Sequence, residues 1–252
     1  MDVGIDYLTQ EQTHLKLQDF LANRTYEPKI IFTPNTEIVM MCQKDEKLRS
    51  MINQGDMVLP DGIGLIIGAK LKKHYLPERI TGFDTSVYLL NLAKKKNLKV
   101  FFLGGKPGVA EEAMEKCNQK YDNIIVGSHH GFFKGAHIAL PLDPEEQVVL
   151  NQINHLKPDI LFVGMGSPYQ ENWIIANKNQ LNTKCIIGNG GTIDVLSGQV
   201  KRAPRIFQKL GLEWFYRLVM DPKRIKRQVL LPLFLWKIVF GPKDIVKKTK
   251  ID

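Results

Sequence analysis

Asp61 stands in LPDGIG, after a short apolar run and before a glycine. An aspartate at the C-terminal edge of a strand, flanked by glycine, points into a crevice and has the geometry of a general base. It would equally serve as the N-cap of the helix that follows. TPN places Thr33 and Asn35 at the end of another apolar run. There they either hold a hydroxyl-rich ligand or form a turn beside Pro34. Gln170, just after GSPY, either reaches the same crevice or is an exposed helical glutamine. Arg79 in PERITG is a candidate anion ligand. Arg217, Arg224 and Arg227 follow at spacings of 7 and 3, which keeps them near one helical face if the Asp221-Pro222 break is modest. Such a group either binds phosphates bidentately or makes a solvated basic face.

Three glycine-rich turns accompany these side chains: LGGKPG with Gly104 and Gly105, GMGSP with Gly164, Gly166 and Ser167, and GNGGTID with Gly190, Gly191 and Asp194. Glycines let backbone N–H groups approach a ligand, and a helix opening on such a turn favours an anion. Each turn also has a plain structural reading, and Asp194 one as an acidic residue favourable to a helix dipole. LGGKPG is neither GxGxxG nor GxxxxGK[ST], so it argues weakly for a dinucleotide or a P-loop. No DxD occurs; Asp143-x-Glu145 is the nearest approach and reads as a helix start. A metal-chelating sugar-nucleotide site lacks its customary carboxylate pair, and no metal or other cofactor is expected. His129-His130 has no carboxylate at metal spacing.

The elements that position these residues alternate. Strands are predicted at Lys29–Thr33, Met57–Leu59, Lys99–Leu103, Ile124–Ser128, Asp159–Val163 and Lys184–Gly188. Helices are predicted at Glu37–Arg49, Gly62–Lys70, Asp84–Lys96, Val109–Lys120, Glu145–Leu156 and Tyr169–Gln180. Strands this apolar are covered on both faces, which implies parallel pairing. The pattern predicts an α/β, doubly wound, mostly parallel Rossmann-like sheet. Ligands then bind at the strand C-termini, where these turns lie.

The chain has 252 residues, 44% hydrophobic and 24% charged, which excludes a disordered or collagen-like protein. Three distant cysteines form no CxxC pair and favour a reducing compartment. The acidic start shows no signal peptide. Charge is uneven: residues 201–252 hold 14 Lys+Arg against 4 Asp+Glu, while residues 1–200 carry a net charge of −1. The expected organisation is a catalytic α/β domain over 1–199 and a basic helical appendage over 200–252. Helices are expected there at Pro204–Leu210, Glu213–Met220 and Pro222–Lys237. Val229–Phe240 is a dense apolar run too short for ~30 Å of hydrocarbon. It either docks on the body or lies in a membrane interface with lysines around it, and the basic excess favours an anionic membrane surface. No nucleic-acid motif accompanies the charge.

TPNTEIV, LPDGIG, PERITGFD, FFLGGKPGVAEEA, HHGFF, PDILFVGMGSPYQENW, GNGGTIDVLSGQVKRAP and LGLEWFYRL occur in order from residue 30 to about 230. Together they resemble the WecG/TagA/CpsF glycosyltransferase family. The resemblance implies an inverting, metal-independent, membrane-associated glycosyltransferase with a UDP-sugar donor and an undecaprenyl-diphosphate acceptor. The best-known branch transfers N-acetylmannosamine to undecaprenyl-diphosphate-GlcNAc, giving the β-1,4 linkage unit of wall teichoic acid. Other branches use the uronic acid for enterobacterial common antigen, or build capsule and exopolysaccharide. By resemblance Asp61 is the catalytic aspartate, and Thr33, Asn35 and Gln170 are its companions. The appendage arginines match Arg217, Arg224 and Arg227. The implied location is peripheral, on the cytoplasmic face of the plasma membrane, and a homo-oligomer is compatible with all of this.

Two other classes make different demands. A dinucleotide-dependent oxidoreductase needs an acidic residue about 20 positions after the first glycine turn, where Ser128-His129-His130 stands. A nucleic-acid-binding protein leaves the glycine turns unexplained.

Overall fold

The computed structural model describes residues 1–22, 27–222, 225 and 229–242. Lys29–Phe32 (β1), Met57–Val58 (β2), Val100–Gly104 (β3), Ile125–His129 (β4), Ile160–Gly164 (β5) and Cys185–Gly188 (β6) pair in the order β2-β1-β6-β5-β3-β4. Every pairing is parallel. The sheet is the doubly wound, Rossmann-like one that the alternation predicts. β3 and β5 are buried along their whole lengths, and neighbouring residues feed opposite faces. Phe102 and Phe162 join one core layer, while Phe101, Leu103, Leu161 and Val163 join the other. Each such side chain contributes about 1.5–3 kcal/mol on burial.

The first layer is covered by α1 (Gln10–Ala22), α5 (Gly82–Lys96), α6 (Val109–Lys120) and α9 (Thr192–Leu196). The second is covered by α2 (Thr36–Cys42), α3 (Glu46–Ile52), α7 (Pro144–Leu156) and α8 (Tyr169–Asn177). The chain therefore leaves β1 and β5 toward one face, and β3 and β6 toward the other. These strands are neighbours, so their diverging connections open a crevice at the carboxyl edge of the sheet. α4 (Ile63–Leu71) lies between β2 and α5.

Caps set the boundaries. The helix predicted over Glu37–Arg49 is two, α2 and α3, because the Asp45 side chain accepts the Leu48 N–H and starts a new helix. α5 begins at Thr81, which caps Asp84 N–H, and ends at Asn97 in the left-handed region. α1, absent from the sequence reading, opens on a reciprocal pair: Gln12 N–H to Thr9 Oγ1 and Thr9 N–H to Gln12 Oε1. That is a T-x-x-Q capping box, legible in LTQEQ.

After Gln199 the described chain forms α10 (Arg205–Lys209), α11 (Glu213–Met220) and α12 (Leu230–Phe240). α12 runs past the predicted end at Lys237 and packs on α2 and α4. It buries Phe234 and Ile238 beside Val39, Met40 and Leu65. Gly64 and Gly68, one turn apart on α4, make the room. A Cβ on Gly64 would lie 2.7 Å from Leu231 Cδ1, and one on Gly68 2.7 Å from Phe234 Cε1. Lys72 Nζ then donates to Gly241 O at 3.1 Å, at the end of α12. Among the described residues no helix is long and apolar enough to cross a membrane.

Candidate active site

Asp61 follows β2 and precedes α4. Its N–H donates to Pro34 O at 3.2 Å, which ties the loop after β2 to the loop after β1. The residue is half-buried and keeps part of its surface in solvent. Burial pushes its carboxyl above the ordinary aspartate value, against the pull of the Arg79 and Arg217 guanidiniums and of the Gly82 N–H at the start of α5; nearby Asp84 adds a further push upward. A carboxylate so placed is a stronger base than an exposed one and still has two cations beside it.

Arg79 stands at the centre of this corner. Its Nε donates to Asp61 O at 2.8 Å and its Nη1 to Gln208 O at 3.4 Å. Its Nη2 pairs with Glu213. One guanidinium thus links the Asp61 loop to α10 and α11. Arg202 reinforces the link: Nη2 donates to Asp84 Oδ1 at 2.7 Å, and Nε lies 3.7 Å from Glu213 Oε1. Its guanidinium also stacks 4.4 Å from the Phe83 ring centroid. Arg202, Glu213 and Asp84 are residues that sequence reasoning missed. KRAP and LGLEW carry no pattern that marks them as partners, since their meeting depends on how the chain folds back after Gln199.

Thr33 is buried, and its hydroxyl donates to Gly188 O at 3.3 Å, joining the ends of β1 and β6. Asn35 caps α2: its Oδ1 accepts the Ile38 N–H at 3.0 Å. Gln170 is buried at the start of α8, with Oε1 accepting the Gly190 N–H at 2.9 Å and Nε2 donating to Glu171 at 3.0 Å. These three side chains therefore have structural partners at the crevice. Arg217 is close enough to act electrostatically on both Asp61 and Arg79. Arg224 and Arg227 lie outside the described residues.

The glycine turns converge over β3, β5 and β6. Gly105 N–H donates to Gly164 O at 3.1 Å. Gly104 has φ +146° and Gly105 φ +70°, the region glycine alone enters freely. A Cβ on Gly164 would lie 2.8 Å from Gly190 O, so the turns after β5 and β6 touch only because Gly164 has no side chain. Gly166 and Ser167 continue the β5 turn, with Gly166 O accepting the Gln170 N–H at 3.0 Å. Gly191 precedes α9, and Asp194 is in its first turn. Asp194 faces both glycine turns: Cβ positions on Gly105 and Gly191 would lie 3.7 and 3.8 Å from its carboxylate oxygens. Asn189, at the end of β6, hydrogen-bonds Ser86 through its amide nitrogen and packs beside Gly82. Among the described residues no three His, Cys, Asp or Glu side chains gather into a metal-binding group.

The arrangement offers a base of raised affinity for a proton at one end of the carboxyl edge. Flanking it are guanidiniums, and next along the edge come the glycine turns, where the Gly105 and Gly190 amides are paired with Gly164 O and Gln170 Oε1. That suits transfer of a group from an anionic leaving group to a hydroxyl. The sequence matches the family described as glycosyl transferase WecG/TagA/CpsF over residues 1–245. It is 36% identical over 247 residues to the N-acetylglucosaminyldiphosphoundecaprenol N-acetyl-beta-D-mannosaminyltransferases of Staphylococcus aureus strains MRSA252 and MW2, covering 98% of this chain and 94% of theirs.

Proposed function

The chain belongs to the WecG/TagA/CpsF family of glycosyltransferases, and we propose that it transfers N-acetylmannosamine from UDP-N-acetylmannosamine to GlcNAc-diphosphoundecaprenol, with inversion and without a metal. The names of its Staphylococcus aureus relatives support this donor sugar and acceptor. The observation that carries the chemistry is Asp61, half-buried between Arg79 and Arg217 with its carboxyl pushed upward by burial. Asp61 takes the proton from the acceptor's 4-hydroxyl as that oxygen bonds to the donor's anomeric carbon. The bond from that carbon to the UDP oxygen breaks on the opposite side, and its electron pair leaves with the diphosphate. Attack opposite the leaving group inverts the configuration. Amides of the glycine turns and Arg217, joined by Arg224 and Arg227, offset the charge that gathers on the diphosphate. Thr33, Asn35 and Gln170 hold the backbone of the same edge, along which the sugar hydroxyls lie.

The lipid acceptor gives the region after Gln199 its role. Phe215, Val219 and Met220 of α11 and Trp236, Val239 and Phe240 of α12 are exposed, and 14 basic residues occupy positions 201–252. Exposed aromatic and apolar side chains among lysines and arginines suit the headgroup layer of an anionic membrane. The enzyme then works as a peripheral protein on the cytoplasmic face, where sugar nucleotides are available.

The test is a donor screen against a short-chain lipid-diphosphate-GlcNAc acceptor, with and without EDTA. UDP-N-acetylmannosamine should be the preferred donor, the product linkage should be β, and EDTA should leave the rate unchanged. Preference for another UDP-sugar would replace the donor assignment. Loss of activity in EDTA, restored by a divalent cation, would overturn metal independence.

A further inference from the structure

Gln170 and Glu171 open α8 and are 3% and 2% exposed. The Gln170 amide is used at both ends. Oε1 takes the Gly190 N–H at 2.9 Å, and Nε2 donates to Glu171 Oε1 at 3.0 Å. These bonds leave little freedom. A backbone N–H can only donate, so it requires the oxygen of Gln170. The amide nitrogen is then turned into the protein interior, where it needs an acceptor of its own. Glu171 supplies that acceptor. The other carboxyl oxygen, Oε2, is buried without a hydrogen-bond partner, as is the hydroxyl of Ser167. Ser167 lies beside the same carboxyl, in the turn after β5. Gly190 has φ +24° and touches the β5 turn at Gly164. A structural glutamate would be expected to find a cation or a full set of donors. This one takes the Gln170 amide as its well-placed donor, with Ser167 and its own backbone N–H adjoining the same carboxyl.

We propose that Glu171 is a positioning residue: through Gln170 it holds the Gly190 amide and locks the turn after β6 against the turn after β5, shaping the crevice for the donor's diphosphate. The last clause rests on the function proposed above; the clamp itself does not. Burial pushes the Glu171 carboxyl above the ordinary glutamate value, against the pull of the Gln170 amide, its own backbone N–H and Ser167.

The test uses the full chain with ¹⁵N-glycine labelling and two readouts: hydrogen exchange at the Gly190 amide, and UDP affinity with turnover. Glu171→Ala should speed exchange at Gly190 by at least about tenfold, the scale of one lost buried hydrogen bond, and weaken kcat/KM by a similar factor. Glu171→Gln retains an acceptor and should restore both to within about threefold of the wild type. In a Gln170→Ala background, Glu171→Ala should add nothing further, which separates clamping from general destabilisation. Slow Gly190 exchange in Glu171→Ala would overturn the clamp. So would a Glu171→Gln protein as defective as Glu171→Ala, or a full additional loss in the Gln170→Ala background. If Gly190 exchange responds as expected but the wild type does not bind UDP, the clamp stands and the nucleotide-sugar reading fails.

Discussion

Replacing Arg79 by lysine keeps a positive charge beside Asp61 and removes the fork. The guanidinium makes one strong bond to Asp61 O at 2.8 Å, one to Glu213 and a weak one to Gln208 O at 3.4 Å. Both ion-pair partners are mostly buried, with side chains 17% and 15% exposed. A hydrogen bond to a charged group contributes roughly 1.5–3 kcal/mol. Lysine is a point charge that can serve one of the two strong acceptors in this geometry, not both. Arg79→Lys should therefore cost about 1.5–3 kcal/mol. Arg79→Ala leaves the Glu213 carboxylate without its main partner, a loss of about 3–5 kcal/mol for a buried pair. Arg202 Nε, 3.7 Å from Glu213, should hold that loss near the lower end. Urea unfolding followed by far-UV circular dichroism measures both, read as midpoint shifts at constant slope. In a Glu213→Gln background the cost of Arg79→Lys should shrink by more than half. Turnover should fall with stability, since the Nε bond fixes the backbone of the proposed base. An Arg79→Lys protein within about 0.5 kcal/mol of wild type would refute the fork, because surface substitutions cost that little.

Four further outcomes are expected. Asp61→Asn should lower turnover by at least ~100-fold, the scale of a lost general base. Because burial raises Asp61, the wild-type rate should fall as pH drops through a value above the ordinary aspartate range, and Arg217→Ala, which removes a cation favouring the ionised form, should move that limb higher; a limb unmoved in Arg217→Ala would deny the contact. Gly68→Val places methyls against the Phe234 ring and should cost about 1.5–3 kcal/mol of α12 docking in the same unfolding assay; unchanged stability would show that α12 is not seated there. Burial also raises Glu171 above its ordinary value of 4.5, so the native state loses stability as pH rises past that value. Glu171→Gln should accordingly be more stable than wild type at neutral pH, with the gain vanishing below the ordinary value; a pH-independent difference would contradict the buried, cation-poor carboxyl.

The scaffold was legible because its signals are local. Runs such as VFFLG and ILFVG admit no polar face, and the turns after them name themselves by glycine and proline. The split of Glu37–Arg49 was readable in principle, since Asp45 three residues before Leu48 is a capping spacing, yet apolar periodicity runs across the break. The site was legible only as residue types. Sequence places Asp61, Thr33, Asn35 and Gln170 at strand ends, but not that Asn35 caps its own helix or that Gln170 is bonded at both ends of its amide. Arg79 reads as an anion ligand, and the anion it meets is Glu213, 134 positions away. Such long-range partners carry no period and no spacing. They emerge only when the segment after Gln199 folds back across the carboxyl edge.

The two notches on α4 act as an index. Leu231 and Phe234 enter Gly64 and Gly68 as teeth enter a rack, so sliding the last helix by a turn would empty both at once. Its register is therefore discrete, and Lys72 pins its far end at Gly241. That helix therefore has one reproducible anchorage, on a rod that starts two residues after Asp61.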